Sequence, residues 1–361
     1  MYPRQYVAYY TDTPPVFDGR LDDPVWQEVG ASEPFVDIST ATRPEYDTTV
    51  KVRWDDTYLY IGAWVQDPAA WANITHACHC ISPANQVIYT DNDFEIFVDA
   101  DGSNAYYKET EINAANATWD LLLNRTYTDG GEENSTRVFG PAGFDMWPPA
   151  YSATYCDGAL NNPRVPHSYW SVELALPLAK LAADTTASAP PVHGAYWRIN
   201  FSRVEWATAV VKGAYWKEPS CQSCPVPGTP TEDNWVWSPM GAIAMHQPNL
   251  WGFLQFSTAP VNTSVPVPNP QWPLRSVAMA LYYAQHAYAD AHGAFTSHLP
   301  ALLPYTPTPW ALNGTCTPPP VVTLSAGGTA FNASLTSYDG AFTATITDQR
   351  VLYVHPPYIA P

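Results

Sequence analysis

Residues Thr49–Gln66 read TVKVRWDDTYLYIGAWVQ, and their alternation decides the fold class. Val50, Val52 and Trp54 alternate with polar neighbours, Asp55-Asp56-Thr57 supplies a turn, and Leu59, Ile61, Ala63 and Val65 alternate again. Apolar spacing of period two puts one set of side chains on one face of a strand, so this stretch is predicted to be a β-hairpin with a single buried face. The same signature recurs outward along the chain. Asp93–Asp99 (DFEIFVD) reads as a strand closed by Asp101-Gly102, with Ala105–Asn113 returning and Thr118–Leu123 pairing next. Tyr169–Pro177 (YWSVELALP) sets Trp170, Val172, Leu174 and Leu176 on one face. Tyr196–Trp206 sets Trp197, Ile199 and Phe201 on one face and Arg198, Asn200 and Ser202 on the other; Trp251–Phe256 is the last strand of the series. Many short alternating strands with turn signals and few helical periods predict an all-β chain, an antiparallel β-sandwich over residues 1–257.

Beyond Ser257 the composition changes. Residues 258–272, rich in Pro, Val, Asn and Thr, read as a linker. Pro273 then opens LRSVAMALYYAQHAYADAH and Gly293 follows it, so a helix is predicted over about 274–292. Val321–Leu324, Ala330–Leu335, Ala341–Thr347 and Arg350–Val354 read as a small β meander, which makes 273–361 a helix-plus-strand C-terminal extension.

The 361 residues contain 46% hydrophobic side chains, enough for a sizeable core. Lys and Arg number 16 against 34 Asp and Glu, a formal charge of -18 that repels phosphate backbones and anionic lipid and excludes nucleic acid as partner. No run approaches a membrane span. The 37 prolines argue for ordered loops and against a helical bundle.

Two features point outside the cytosol. Six cysteines, Cys78, Cys80, Cys156, Cys221, Cys224 and Cys316, permit a disulfide framework. N-x-[ST] sequons occur at Asn73, Asn116, Asn124, Asn134, Asn262, Asn313 and Asn332, all expected to accept glycans, and at Asn200, which lies inside a predicted strand and is expected to stay unmodified. The expected location is secreted or at the cell surface. Met1 leads into Tyr-Pro-Arg-Gln without an apolar signal region, which reads as a mature chain. His76-Ala-Cys78-His79-Cys80 and Cys221-Gln-Ser-Cys224 have a second reading as a tetrahedral zinc site, against cross-bridges between two loops; an oxidising compartment favours the bridges.

No G-x-S-x-G, H-E-x-x-H or phosphate-binding glycine loop is present, and the nine histidines fall in no catalytic or metal spacing. Nothing in the sequence points to an enzyme.

The blocks FDGRLDDPVWQ (Phe17–Gln27), VKVRWDDTYLYIGAWVQDP (Val50–Pro68), NDFEIFVDADG (Asn92–Gly102), EINAANATWDLL (Glu111–Leu122), YWSVELALP, RINFSRVEW, EDNWVWSP (Glu232–Pro239) and MHQPNLWGFLQF (Met245–Phe256) stand in one order. In that order they resemble the family 9 carbohydrate-binding modules and the wider DOMON-like group. The resemblance runs from Val16 to Phe256, about two thirds of the chain. It implies a β-sandwich whose concave face or rim holds a sugar, commonly with structural calcium. It also implies that the acidic position at Glu95 and the amide position at Asn113 contact the ligand. Tyr89 stands where sugar-binding members carry one Trp of an aromatic clamp and Met245 near the second, with Trp235, Trp237 and Trp251 available as substitutes.

The residues themselves suit such a ligand. Aromatic rings stack on the apolar faces of a pyranose while carboxylates and amides satisfy its hydroxyls. Glu95, Phe97 and Asp99 share one strand face, as do Glu111 and Asn113. The candidate carbohydrate-binding set is therefore Tyr89, Glu95, Glu111, Asn113, Trp235, Trp237 and Met245, against the alternative that Glu95 is a satisfied core carboxylate. Trp54, Trp170 and Trp197 are expected in the core. Asp99, Asp101 and Asn104 offer oxygen ligands for calcium in a loop that is also an ordinary Asp-Gly turn; no cofactor is otherwise required.

The expected function is that of an extracellular, non-catalytic carbohydrate-binding glycoprotein. The alternative is a structural glycoprotein of a wall, matrix or surface filament, which self-assembles or joins other extracellular glycoproteins through its C-terminal extension. A haem-binding DOMON-type reading needs Met and His on opposite haem faces, which the adjacent Met245 and His246 cannot supply.

Overall fold

The computed structural model describes residues 2–75, 87–147, 150–218, 228 and 231–360. Strands β1 (Gln5–Tyr10), β2 (Thr48–Trp54), β3 (Tyr58–Gln66), β4 (Asp93–Asp99), β5 (Tyr107–Asn113), β6 (Thr118–Leu123), β7 (Tyr151–Cys156), β8 (Tyr169–Pro177), β9 (Tyr196–Trp206), β10 (Glu232–Val236) and β11 (Gly252–Ser257) join one hydrogen-bonded path. Across the path the order is β6-β5-β4-β9-β11-β1-β2-β3-β8-β7, with β10 also on β9. The expected hairpin is present: Val50 pairs with Ala63 and Val52 with Ile61.

The sheet is mixed, not antiparallel throughout. β1 runs parallel to both its neighbours, β11 and β2. Hairpin logic finds only antiparallel neighbours, because it reads strands joined by a tight turn. The N-terminal strand belongs to no hairpin and fills the gap between two strands, Thr48–Trp54 and Gly252–Ser257, that are far apart in sequence.

The path folds over so that its halves share a core. Val50, Val52, Trp54, Ile61, Trp170, Val172 and Leu174 from one half meet Phe94, Ile96, Val98, Ile199, Phe201, Leu254 and Phe256 from the other. This is a β-sandwich, with Trp54, Trp170 and Trp197 buried in its core as expected. Period two then forces Asp93, Glu95, Phe97 and Asp99 onto the outer face of β4. Much of that outer face is covered. Ile38, Ile74, Ile88, Val236, Met240 and Trp251 form a second apolar layer against Phe97, Tyr107, Trp119 and Leu121, so that with the sandwich core on the inner face every residue of β4, β5 and β6 is buried.

After the sandwich, helix α1 (Trp272–His292) ends at Gly293, whose φ of 80° lets its N–H reach back to the Ala289 carbonyl. An antiparallel meander of β12 (Val321–Leu324), β13 (Phe331–Thr336), β14 (Thr343–Thr347) and β15 (Leu352–His355) packs on the helix through Leu274, Val277, Leu281, Phe331, Ala333 and Ile346. This extension is docked on the sandwich. Leu352 N–H donates to the Ser103 carbonyl, Asn104 Nδ2 to the Arg350 carbonyl, and Arg350 Nε lies 2.6 Å from Asp129 Oδ2. The segment read as a linker lies against the sandwich too: Gln5 Nε2 and Tyr196 Oη both donate to the Val267 carbonyl. No helix among the described residues is long and apolar enough to cross a membrane.

Two disulfide expectations are corrected. Cys156 and Cys316 are free thiols. Cys156 packs against the sandwich core and Cys316 against the core of the extension, so neither is placed to reach the other. Cys156 Sγ instead lies 3.5 Å from His167 Nδ1, and burial pushes its thiol up to about 11. Cys78, Cys80, Cys221 and Cys224, with their zinc or disulfide readings, lie outside the described residues.

Candidate functional site

A cleft of about 560 Å³ opens on the outer face of β4–β6, where the second apolar layer leaves a gap. Its floor comes from the alternation already described: Glu95 and Phe97 of β4, Glu109 and Glu111 of β5, and Trp119 of β6. Glu95 pairs directly with Glu111, and Glu111 with Trp119, so register sets two carboxylates and an indole in one row across three strands. Tyr89 and Tyr127 form the rim and are 46% and 45% exposed. Ala244, Met245 and His246 close the far side, with Glu232 and Asn234 from β10.

The electrostatics follow from burial of like charges. Burial pushes Glu95 up to about 7, against a Ser202 hydrogen bond that favours its charged form. Glu111 is raised well above the carboxylate range by burial and then by Glu95, although Tyr89 N–H donates to its Oε2 at 2.9 Å. Glu109 and Asp93 are raised by burial and by these same neighbours. His246 is pulled down to about 4 by burial, so it is neutral at pH 7, with Nδ1 3.1 Å from the Tyr107 hydroxyl and Nε2 3.8 Å from Glu109 Oε2. Among the described residues no ion pair reaches Asp93, Glu95 or Glu111.

Of the residues expected from sequence, Tyr89, Glu95, Glu111 and Met245 line this cleft. Asn113 does not. It is fully buried behind it, donating from Nδ2 to the Ile74 carbonyl and Asp91 Oδ2 and accepting the Ala115 and Ala117 N–H groups on Oδ1. All of its hydrogen-bonding capacity goes to shaping a turn.

Trp235 and Trp237 are also displaced from the expected role. Both belong to the sandwich core, Trp235 on the face of β10 opposite to the cleft-lining Asn234 and Trp237 just beyond the strand's end. Gly252 makes room for the second of them: a Cβ there would lie 2.3 Å from the Trp237 ring. Trp251 supports the cleft from beneath, packing on Phe97 and Tyr107 and donating Nε1 to the Met245 carbonyl. The aromatic groups at the cleft that the sequence reading passed over are Trp119 and Tyr127. Trp119 was legible as the residue facing Glu111 once register was known; Tyr127 opens a single 3-10 turn, Tyr127–Asp129, too short for a periodic signal.

The loop expected to take calcium is arranged differently. Asp99 accepts the Ser103 and Asn104 N–H groups, Asp101 accepts Ser103 N–H and both donors of Thr186, and Asn104 turns its amide nitrogen to Met279 and Arg350. Three other carboxylates converge instead: Asp93, Glu95 and Glu111 each offer an oxygen within 4.8 Å of the others. Asp93 is fully buried, its Oδ1 accepts Val204 N–H, and its Oδ2 has no hydrogen-bond partner among the described residues. Hard oxygen donors without a counter-charge fit calcium or a similar divalent cation.

Residues 17–138, which carry all five floor residues and both rim tyrosines, match the family model described as carbohydrate family 9 binding domain-like. Among solved structures, the chain is similar to a carbohydrate-binding module family 9 from Caldicellulosiruptor kristjanssonii in complex with cellotriose, at 18% identity over 74% of this chain and 100% of that one, with a TM-score of 0.40. The complex of a family 9 module from the same organism with glucose matches at 17% identity over 73% of this chain and 100% of that one, with a TM-score of 0.40. A Bacteroides uniformis protein proposed to bind carbohydrate matches at 14% identity over 71% and 100%, with a TM-score of 0.47. No curated protein matches the sequence.

Proposed function

We propose that this family 9-like protein is a non-catalytic carbohydrate-binding glycoprotein, secreted or held at a cell surface, whose sugar lies in the cleft over β4–β6. The observation that carries this reading is the pairing of two half-exposed tyrosines, Tyr89 and Tyr127, with a floor of buried Glu95, Glu109, Glu111 and Trp119. Rings at the rim suit the C–H faces of a sugar, and carboxyl groups beneath suit its hydroxyls, acting as acceptors when ionised and as donors when protonated. The cleft volume of about 560 Å³ suits a mono- to disaccharide-sized ligand. A glycosylated, secreted chain is supported by the sequons: Asn73, Asn116, Asn124, Asn262, Asn313 and Asn332 are exposed and Asn134 half-buried.

Where calcium binds, Asp93, Glu95 and Glu111 would hold it, and it would supply the positive charge that this part of the cleft lacks. A glycan array run with and without a chelator tests both parts. A defined sugar hit supports the reading, and loss of that hit on chelation ties the cation to it. A blank from protein shown to be folded would overturn sugar binding and favour the assembly glycoprotein.

A further inference from the structure

A second cavity, of about 280 Å³, lies at the seam where the C-terminal extension meets the sandwich, remote in role from the acidic cleft. Its polar wall is made by Arg198 from β9 and by Arg275 and Ser276 from the first turns of α1. Three buried donors on these residues lack partners among the described residues: Arg198 Nη1, Arg275 Nε and Ser276 Oγ.

The two guanidinium groups are neighbours. Arg275 Nη1 donates to the Gly102 carbonyl at 2.7 Å, and a Cβ on Gly102 would lie 3.0 Å from Arg275 Nη1 and 3.4 Å from Arg198 Cγ. Arg198 is 4% exposed and its remaining donors go to the Pro248 and Asn249 carbonyls, with Phe253 stacked 4.3 Å from its centre. Burial, and then the Arg275 charge beside it, hold Arg198 down to about 9, still protonated at neutral pH.

Neither guanidinium is in an ion pair among the described residues. Asp99 and Asp101 act on them from a distance, but their oxygens are committed to loop amides and Thr186. Two like charges side by side, Arg198 buried and Arg275 half-buried, in a chain with only 16 basic residues, are costly unless something negative joins them. The positive end of the 21-residue helix α1 adds to the same potential. Leu250, Trp272, Met279 and Leu352 give the cavity an apolar lining that a bare inorganic ion would leave unfilled.

We infer that this seam cavity binds a small organic carboxylate of about monosaccharide size, with the carboxylate on Arg198, Arg275 and Ser276 and the carbon body against Trp272 and Met279. A uronic acid is a ligand of that chemistry. The site is independent of the sugar cleft, and it joins residues of the sandwich to residues of the extension, so its occupancy locks the two together.

Calorimetry on the full glycosylated chain at low ionic strength tests it, with glucuronate, inorganic sulfate and glucose as probes. Saturable glucuronate binding that weakens with salt and that excess glucose does not displace is the expected result. Arg275→Gln should lower glucuronate affinity by about tenfold, the loss of one charge-assisted contact. Ser276→Ala should lower it less, and both variants should keep the wild-type melting profile of the sandwich. Sulfate binding as tight as glucuronate would overturn the organic body. Absence of glucuronate binding by folded protein, or unchanged affinity in both variants, would overturn the site.

Discussion

Glu95 and Glu111 stand directly opposite one another on the antiparallel strands β4 and β5, both buried and with no basic group paired to either among the described residues. Like charges opposed across a ladder are destabilising, and burial raises that cost. Tyr89 N–H and Ser202 supply hydrogen bonds, but none of these carries a charge. The pair is stable only with shared protons, a cation or a polar ligand, and this requirement makes the cleft a place where binding and stability are coupled.

Removing the rim rings should weaken binding without unfolding the chain. Tyr89→Ala and Tyr127→Ala are each expected to lose about fivefold in affinity for a sugar probe such as cellotriose, since a stacked ring contributes roughly 1 kcal/mol. Titration calorimetry beside a thermal melt checks this. An unchanged affinity in both variants would move the sugar elsewhere.

Trp235→Ala should behave in the opposite way. The indole lies in the sandwich core, with Arg203 5.0 Å from its centre. Its removal leaves a cavity and is expected to cost about 3–5 kcal/mol in urea unfolding. Any fraction that remains folded should bind sugar as the wild type does. A stable Trp235→Ala protein with lost binding would restore this tryptophan to the site.

Calcium added to chelated protein should raise the melting temperature, by the mass-action stabilisation of a native-only ligand. The shift should vanish in Asp93→Asn and Glu111→Gln and persist in Asp101→Asn. If Asp101→Asn alone removes it, the cation belongs in the Asp99–Asn104 loop instead.

Stability should fall as the pH rises from 5 to 8 in metal-free protein. Burial pushes Asp120 and Glu173 up to about 7 in the folded chain, well above their ordinary values of 3.8 and 4.5. Between the unfolded and folded values the native state holds protons that the unfolded chain has released. The stabilisation is therefore complete below the unfolded value and is lost as pH climbs through the folded one. Urea midpoints across this range check the sign; a midpoint rising toward pH 8 would show that these groups stay ionised when buried.

Enzymatic deglycosylation of protein secreted from a eukaryotic host should release glycans from exposed sequons and none from Asn200. Its side chain is fully buried, donating Nδ2 to the Ser238 carbonyl and accepting Ser238 N–H. Peptide mapping that finds a glycan at Asn200 would mean that this sequon is reached before the strand is paired.

The sequence by itself determined the sandwich, because apolar spacing of period two is written locally and survives in any context: Val50 to Val65, Trp170 to Leu176 and Trp197 to Phe201 all face the core that their alternation predicts. It also placed Glu95, Glu111, Tyr89 and Met245 at one cleft, the first two by strand face and the others by likeness to a family. Only the tertiary structure decided the rest. Which strands become neighbours depends on contacts remote in sequence, so the parallel pairing of Gln5–Tyr10 was invisible, as was the register that sets Trp119 beside Glu111. An aromatic or an amide looks the same on paper whether it faces a ligand or fills a core; Gly252 and the turn at Asn113 settled Trp237 and Asn113 as structural. The convergence of Arg198 with Arg275 exists only because the C-terminal helix docks against Gly102, a contact spanning 173 positions that no local pattern records.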